Sequence, residues 1–280
     1  MTLTPSEASR LLAAHGRSPS RALGQNFVVD PNTVRRIARL AGVGPGDHVV
    51  EVGAGLGSLT IALAETGAEV TAVEVDRHLI EVLEEVLPER APGVRLVAGD
   101  AMSLDWSEVL ASADRWVLVA NLPYNVATPL VLDLLDDVPA IERMLVMVQK
   151  EAGERLVAGP GDDAYGIPSV KVAYHARAEL VGTVGPNVFL PKPKVESALV
   201  SITRHDGGPA PEAAGADPER LFALVRAGFG QRRKMLRRSL AGLLDEAAIE
   251  SAGVDPQARA ETVTLAQWAA LAGQEPAPPV

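Results

Sequence analysis

Apolar residues alternate between two rhythms through the first half of this chain. Short, nearly continuous apolar runs at residues 48–52, 69–75, 94–98, 116–120 and 144–148 read as strands buried on both faces. Helical patterns separate them. The stretch at 58–65 follows a glycine-rich turn, and one at 31–41 starts after Asp30-Pro31, a cap followed by a proline at the first helical position. Such alternation predicts an α/β domain built on a parallel sheet. Residues 149–157 and 167–176 predict two further helices, and 180–184 with 198–202 predict an antiparallel edge pair.

The pattern weakens at both ends. Residues 1–20 read as a flexible arm, 21–204 as the main domain, and 205–218, rich in Gly, Ala and Pro, as a linker. Beyond it, 219–240, 243–252 and 265–271 predict a small helical domain spanning 219–273. Its register turns Leu221, Leu224, Val225, Phe229, Leu236 and Leu240 inward. The proline-rich tail 274–280 reads as disordered.

Polar residues stand where three strands end. The first strand runs into Gly53-Ala-Gly-Leu-Gly57, a turn that brings backbone close to a ligand. The dinucleotide pattern G-x-G-x-x-G is not met, because Ser58 stands where its third Gly would be. Glu74 closes the second strand at the distance where an acid meets ribose hydroxyls, and Asp100 after the third is placed to accept from an adenine amine. The strand 116–120 runs into Asn121-Leu-Pro-Tyr-Asn125, where Asn121 offers an acceptor oxygen and Tyr124 a ring face for a flat base. Pro123 stiffens the turn and restricts Leu122. Helix capping is the plainer reading of Glu74 and Asp100, and it is compatible with binding.

These runs, with Gly24-Gln-Asn-Phe27, Gln149-Lys-Glu151, Ala164-Tyr-Gly166, Phe189-Leu-Pro-Lys-Pro-Lys-Val-Glu-Ser197 and Phe229-Gly-Gln-Arg-Arg-Lys234, occur in the order found in one family. The chain resembles the ribosomal RNA adenine N6-dimethyltransferases over about residues 20 to 245. The resemblance favours the type acting on small-subunit (16S) RNA, with the large-subunit resistance methylases as the close alternative. It implies a Rossmann-like class I methyltransferase fold with a mostly parallel seven-stranded sheet, a small C-terminal α-helical domain, and S-adenosyl-L-methionine as cofactor. It further implies that Asn26 and Val28 close the cofactor pocket, Gly53 packs on the methionine part, Glu74 binds the ribose and Asp100 the adenine. Asn121 would touch both the donor methyl region and the target amine. Val28 stands where the family more often has Leu.

On this reading Asn121 Oδ1 and the Leu122 carbonyl draw the N6 hydrogens and enrich a poorly nucleophilic nitrogen. Tyr124 and Phe189 wall the flipped base, and Lys192 and Lys194 lie beside it. Neither a covalent enzyme intermediate nor a metal is expected. The implied targets are two adjacent adenosines in a hairpin near the 3′ end of 16S RNA, within a 30S precursor, each taking two methyl groups.

Composition changes this picture in one respect. A net charge of −10 argues against a generic nucleic-acid binder. The charge is uneven, however: Arg226, Arg232, Arg233, Lys234, Arg237 and Arg238 fall within residues 226–238 with no acid among them. That run predicts a phosphate-binding patch, with a solvated helix face as the plainer alternative. No cysteine is present, which excludes disulfides, thiolate metal sites and Cys nucleophiles. The His residues 15, 48, 78, 175 and 205 are scattered without ligand spacing. No apolar run is long enough for a membrane span and no signal-peptide core is seen, so a cytoplasmic enzyme is expected, and a monomer because no heptad or exposed apolar stripe demands a partner. Rival readings are a nicotinamide dehydrogenase, which Ser58 and the Asn-Leu-Pro-Tyr run disfavour, and an RNA-binding assembly factor without turnover.

Overall fold

The protein's structure is a computed structural model describing residues 2–20, 24–123 and 125–275. The chain opens with α1 (Pro5–Ala14), β1 (Phe27–Val28) and α2 (Pro31–Ala41). An alternating series follows: β2 (His48–Val52), α3 (Ser58–Ala64), β3 (Glu69–Glu74), α4 (Arg77–Arg90), β4 (Arg95–Ala98), α5 (Trp106–Val109), β5 (Trp116–Asn121), α6 (Ala127–Asp137) and β6 (Ile141–Gln149). Then come α7 (Lys150–Val157), α8 (Ile167–His175), β7 (Ala176–Val184), β8 (Phe189–Leu190) and β9 (Ser197–Arg204). The last helices are α9 (Pro218–Gly230), α10 (Leu236–Ser239), α11 (Glu246–Ser251) and α12 (Leu265–Ala272). Two compact units result, Met1–Gly153 with Glu179–Thr203, and Glu154–Ala178 with Arg204–Val280.

The first unit is organised by a seven-stranded sheet in the order β4-β3-β2-β5-β6-β9-β7. The β2–β3, β3–β4, β2–β5 and β5–β6 pairs are parallel, and β9 joins β6 antiparallel. The expected α/β class and mostly parallel sheet are therefore what the chain forms. Valine-rich strands suit this position because helices cover both faces of the sheet and leave no room for alternation. Val49, Val117 and Val119 share one cluster with Val34 and Ile37 of α2 and Leu59 and Leu63 of α3. Each fully buried side chain of this kind contributes roughly 1.5–3 kcal/mol. Strand order reverses around β2: the chain steps outward to β3 and β4, then returns to the other side for β5 and β6. The crevice at the carboxyl ends of β2 and β5 is that switch point.

Local signals set the element boundaries. Asp30 Oδ2 accepts from the Thr33 N–H at 2.8 Å, Pro31 occupies the first turn, and Gly42 at φ 61° ends α2. The helix occupies the predicted span.

Four expectations need correction. Residues 1–20 contain α1 in place of a loose arm; Thr4 and Glu7 form a capping box, and Leu3, Ala8 and Leu12 join a core with Val82 and Leu83 of α4. Arg90 donates to Glu7 at 2.9 Å; the Thr4 backbone N–H first, and Arg90 second, hold the Glu7 carboxyl down at about 2. Residues 154–178 group with the helical unit, where Tyr165, Val170 and Tyr174 pack with Leu221, Leu224 and Trp268. The segment 205–218 is no loose linker, because Ala210 and Ala213 are buried in that same core and the Ala210 N–H donates to the Tyr174 carbonyl at 2.8 Å. The basic run is not one helix either: α9 ends at Gly230, turns occupy 231–234, and α10 starts at Leu236. The inward register of Leu221, Leu224, Val225, Leu236 and Leu240 is as expected, with Phe229 half-buried against them. Gln274 is described and its carbonyl accepts from Arg220, whereas 276–280 of the proposed tail lie outside the described residues.

Candidate active site

Val52 lies opposite Ala120 in the β2–β5 ladder, which makes Gly53 and Asn121 neighbours at the ends of those strands. The turn after β2 runs through Gly53, Gly55 and Gly57 at φ 75°, 60° and 84°. Gly55 also meets β1 closely: a Cβ there would stand 2.9 Å from the Phe27 ring. Side chains are thus excluded twice over, by backbone sign and by space.

In front of the turn opens a cavity of about 300 Å³. Its lining draws on four strand ends and the segment before β1: Asn26 and Phe27, Gly53 and Gly55, Glu74 and Val75, Asp100 to Met102, and Asn121 to Pro123. Two carboxylates line it, and no Lys, Arg or His does, among the described residues. The two carboxylates disfavour a phosphate here. A nucleoside carrying positive charge would be welcome.

Glu74 is nearly buried and held by three backbone donors. The Gly55 N–H donates to Oε2 at 2.8 Å, and those of Val75 and Asp76 to Oε1 at 3.0 Å each. Burial pushes its pKa up, and the three N–H groups oppose the shift. A carboxylate offers about four lone-pair positions, so an acceptor remains for a ligand hydroxyl. Asp100 is exposed and caps its own turn through the Met102 N–H at 3.0 Å, leaving Oδ2 for a ligand.

Asn121 Nδ2 donates to the Asn26 carbonyl at 2.9 Å. A carbonyl only accepts, so this bond fixes the orientation of the amide. Among the described residues no donor meets Asn121 Oδ1 or the Leu122 carbonyl, while the Leu122 N–H is held by the Met147 carbonyl at 3.0 Å. Two acceptors on a rigid turn thus stay open beside the pocket.

Several proposed site residues lie elsewhere. Phe189 pairs with Val28 across the small β1–β8 sheet and is buried in the core with Val34 and Leu199, so it presents no ring face to a base. Val28 is buried in that core and lines a smaller cavity behind the glycine turn, and is not among the described residues lining the large pocket. Tyr124 lies outside the described residues. Lys192 and Lys194 are exposed. In the helical unit Arg226, Arg233 and Lys234 are exposed, whereas Arg232 is committed to Glu261 at 2.8 Å and the Asp163 carbonyl at 2.9 Å, and Arg237 to Glu246 at 3.4 Å. Arg238, the last cation of the basic run, is exposed like Arg233.

Gln25 was missed as a site residue. It lines the pocket, donating to Asp76 Oδ2 at 2.8 Å and accepting from the Ser20 N–H at 2.7 Å, which moors the segment before β1 to the end of β3. Its place beside Asn26 was the available signal. Among the described residues no group of three His, Cys, Asp or Glu is arranged to hold a metal ion, and no helix is long and apolar enough to cross a membrane.

A doubly wound sheet with an antiparallel strand beyond β6, and a pocket at its switch point with no cation among the described residues, are those of a class I methyltransferase, the fold shared with the solved methyltransferase described below. A sequence profile described as Ribosomal RNA adenine dimethylase matches residues 17–274, and the chain belongs to that family. It is 47% identical over 281 residues to Ribosomal RNA small subunit methyltransferase A of Bifidobacterium adolescentis, covering 96% of this chain and 93% of that one. It is 48% identical over 283 residues to the protein of the same name from Thermobifida fusca, covering 98% and 96%. Among solved structures, the 23S rRNA methyltransferase ErmE superposes with a TM-score of 0.66 at 27% identity, over 88% of this chain and 98% of that one. A dimethyladenosine transferase from Plasmodium falciparum shares the fold, with a TM-score of 0.72 at 22% identity over 86% and 94%.

Proposed function

We propose that this enzyme binds S-adenosyl-L-methionine in the large pocket and dimethylates N6 of two adjacent adenosines in a hairpin near the 3′ end of 16S ribosomal RNA. The observation that carries the reading is the lining: two carboxylates, four carboxamides and glycine backbone, with no cation among the described residues. When bound, the cofactor supplies an activated methyl on a sulfonium centre. Glu74 accepts from the ribose hydroxyls and Asp100 from the adenine amine, while Ala101 and Met102 flank the ring. Asn26, tied to Asn121 by the 2.9 Å bond, closes the pocket on the side of β1.

Asn121 Oδ1 and the Leu122 carbonyl each accept one N6 hydrogen of the target base. Those bonds restrain the amine outside the purine plane and stabilise positive charge as it develops on nitrogen. Fixed acceptors of this kind contribute about 3 kcal/mol each. The proton leaves to water, since no His or Lys lines the pocket among the described residues. Extruding the base costs a few kcal/mol, less for a base already in a loop. Tyr124 serves as the stacking platform, and with Phe189 buried the opposite wall falls to exposed residues such as Lys192 and Lys194.

Arg226, Arg233, Lys234 and Arg238 supply phosphate contacts, which makes RNA affinity salt-dependent. The RNA partner is the 30S precursor in the cytoplasm, and a role in small-subunit assembly accompanies the chemistry. Relatives at 47–48% identity carry a small-subunit name, which favours 16S over 23S RNA. Incubating purified protein and labelled cofactor with undermethylated precursors of either subunit tests this. Label in small-subunit RNA is expected; label confined to large-subunit RNA would refute the choice of target.

A further inference from the structure

Behind the glycine turn lies a second cavity of about 30 Å³, walled in part by Glu51, Ser58, Phe27 and Asn121. That is room for one water molecule. Glu51 sits in the middle of the sheet, 1% exposed, and its Oε2 has no hydrogen-bond partner; the Ser58 hydroxyl has none either. Phe27, Gly53, Gly55 and Asn121 line both this cavity and the large pocket, so only a thin wall separates Glu51 from a bound ligand.

The surroundings of Glu51 offer nothing to balance a negative charge. From β3 comes Glu74, a like charge, and opposite Glu51 in the ladder stands Ala72. From β5 come Val119 and the neutral Asn121, and from β1 Phe27 and Val28. Helix α3 brings the Ser58 and Thr60 hydroxyls; Thr60 opposes the upward shift, yet its hydroxyl falls short of hydrogen-bond geometry. No Lys, Arg or His among the described residues pairs with Glu51. Burial, helped by the Glu74 charge, pushes it up to about 8. A carboxyl so placed is mostly neutral near pH 7, and a cation beside it favours its ionised form.

We propose that Glu51 is a proton-linked counter-charge for the methyl donor: neutral in the empty pocket, it ionises as the sulfonium binds, and it discriminates that cation from the uncharged thioether product. The O–H bond of Glu51 breaks on binding and its proton passes to solvent. Once the methyl has left and the sulfonium has become a thioether, the carboxylate takes a proton back from solvent, so the cycle is balanced. This inference rests on the donor reading of the large pocket.

Calorimetry on the full chain, titrating S-adenosyl-L-methionine and S-adenosyl-L-homocysteine in buffers of different ionisation enthalpy near neutral pH, tests it. Donor binding should release on the order of half a proton or more, and product binding clearly less. The donor-to-product affinity ratio should rise with pH by up to about tenfold per unit between about pH 6 and 8, then level off. Glu51→Gln should abolish both the release and the slope, with product affinity and thermal melting reporting that the variant is folded. Donor binding without proton release, or equal release from Glu51→Gln, would overturn the proposal. If that variant does not fold, a wild-type affinity ratio that stays flat across this range overturns it equally. Failure of the donor to bind at all would instead refute the donor reading itself.

Discussion

The pocket at the ends of β2 and β5 and the basic turn after α9 place charge in opposite ways. In the pocket, Glu74 is buried, held by three backbone N–H groups, and fixed by the register of a parallel sheet. In the turn Arg233 and Lys234, and in the following α10 Arg238, are exposed to solvent. Low dielectric makes the first region strong, specific and intolerant of change; solvent makes the second weak per residue, additive and sensitive to salt. Arg226, Arg233, Lys234 and Arg238 give an acidic chain a local group of exposed cations, while the described residues lining the pocket include none.

The largest expected effect comes from Asn121→Ala. Methyl transfer should fall by at least about 100-fold, as for loss of one preorganised acceptor, while calorimetric donor affinity changes only a few-fold. Parallel loss of donor affinity would show that the residue holds the cofactor and not the reaction. The same variant should still associate with small-subunit precursors if the assembly role is separate.

The second effect is on the stability of the ligand-free protein. Glu51 has a folded-state pKa of about 8, above its ordinary value of 4.5, so the fold favours its protonated form. Its contribution to stability is fully present below about pH 4.5, declines as pH rises, and levels off above about pH 8. Urea midpoints should therefore show Glu51→Gln gaining on wild type from pH 5 to pH 8. A constant difference between the two proteins would contradict the assignment.

Gly55→Ala is expected to cost about 1–2 kcal/mol through its left-handed backbone alone. It should weaken donor binding further, because Phe27 must move. Denaturant melts and donor calorimetry measure the two parts separately.

Smaller effects belong to the basic turn. Arg233→Ala with Lys234→Ala should weaken RNA binding alike for all sequences and lower the salt slope by about 0.7–0.9 per cation removed. Arg232→Ala should leave the salt slope nearly unchanged and lower stability slightly, because that guanidinium is spent on Glu261 and the Asp163 carbonyl. Equal slopes for the two variants would erase the distinction between free and committed cations.

What the sequence disclosed and what it hid divide along locality. The strands, the helix at Pro31–Ala41 and the polar residues at strand ends were legible because valine runs, Asp30-Pro31 and Gly42 act within a few residues of one another. Phe189 was misjudged because its burial depends on pairing with Val28, far away in the chain. The same holds for Arg232, whose partner Glu261 nothing nearby in sequence announces. Helix α1 was hidden because Leu3, Ala8 and Leu12 form a stripe only against α4. The segment 205–218 looked like a linker because alanines that pack inward look the same in sequence as alanines that do not. Glu51 interrupts the apolar run 48–52 in plain view, but its missing partner is visible only once the strands surround it.

The account stands or falls on where the donor lies. A crystal structure of the protein with S-adenosyl-L-methionine should show the ribose hydroxyls on Glu74, the adenine amine on Asp100, and the methyl facing Asn121 Oδ1. A donor seated away from the β2–β5 crevice, or an Asn121 side chain turned from it, would contradict the account.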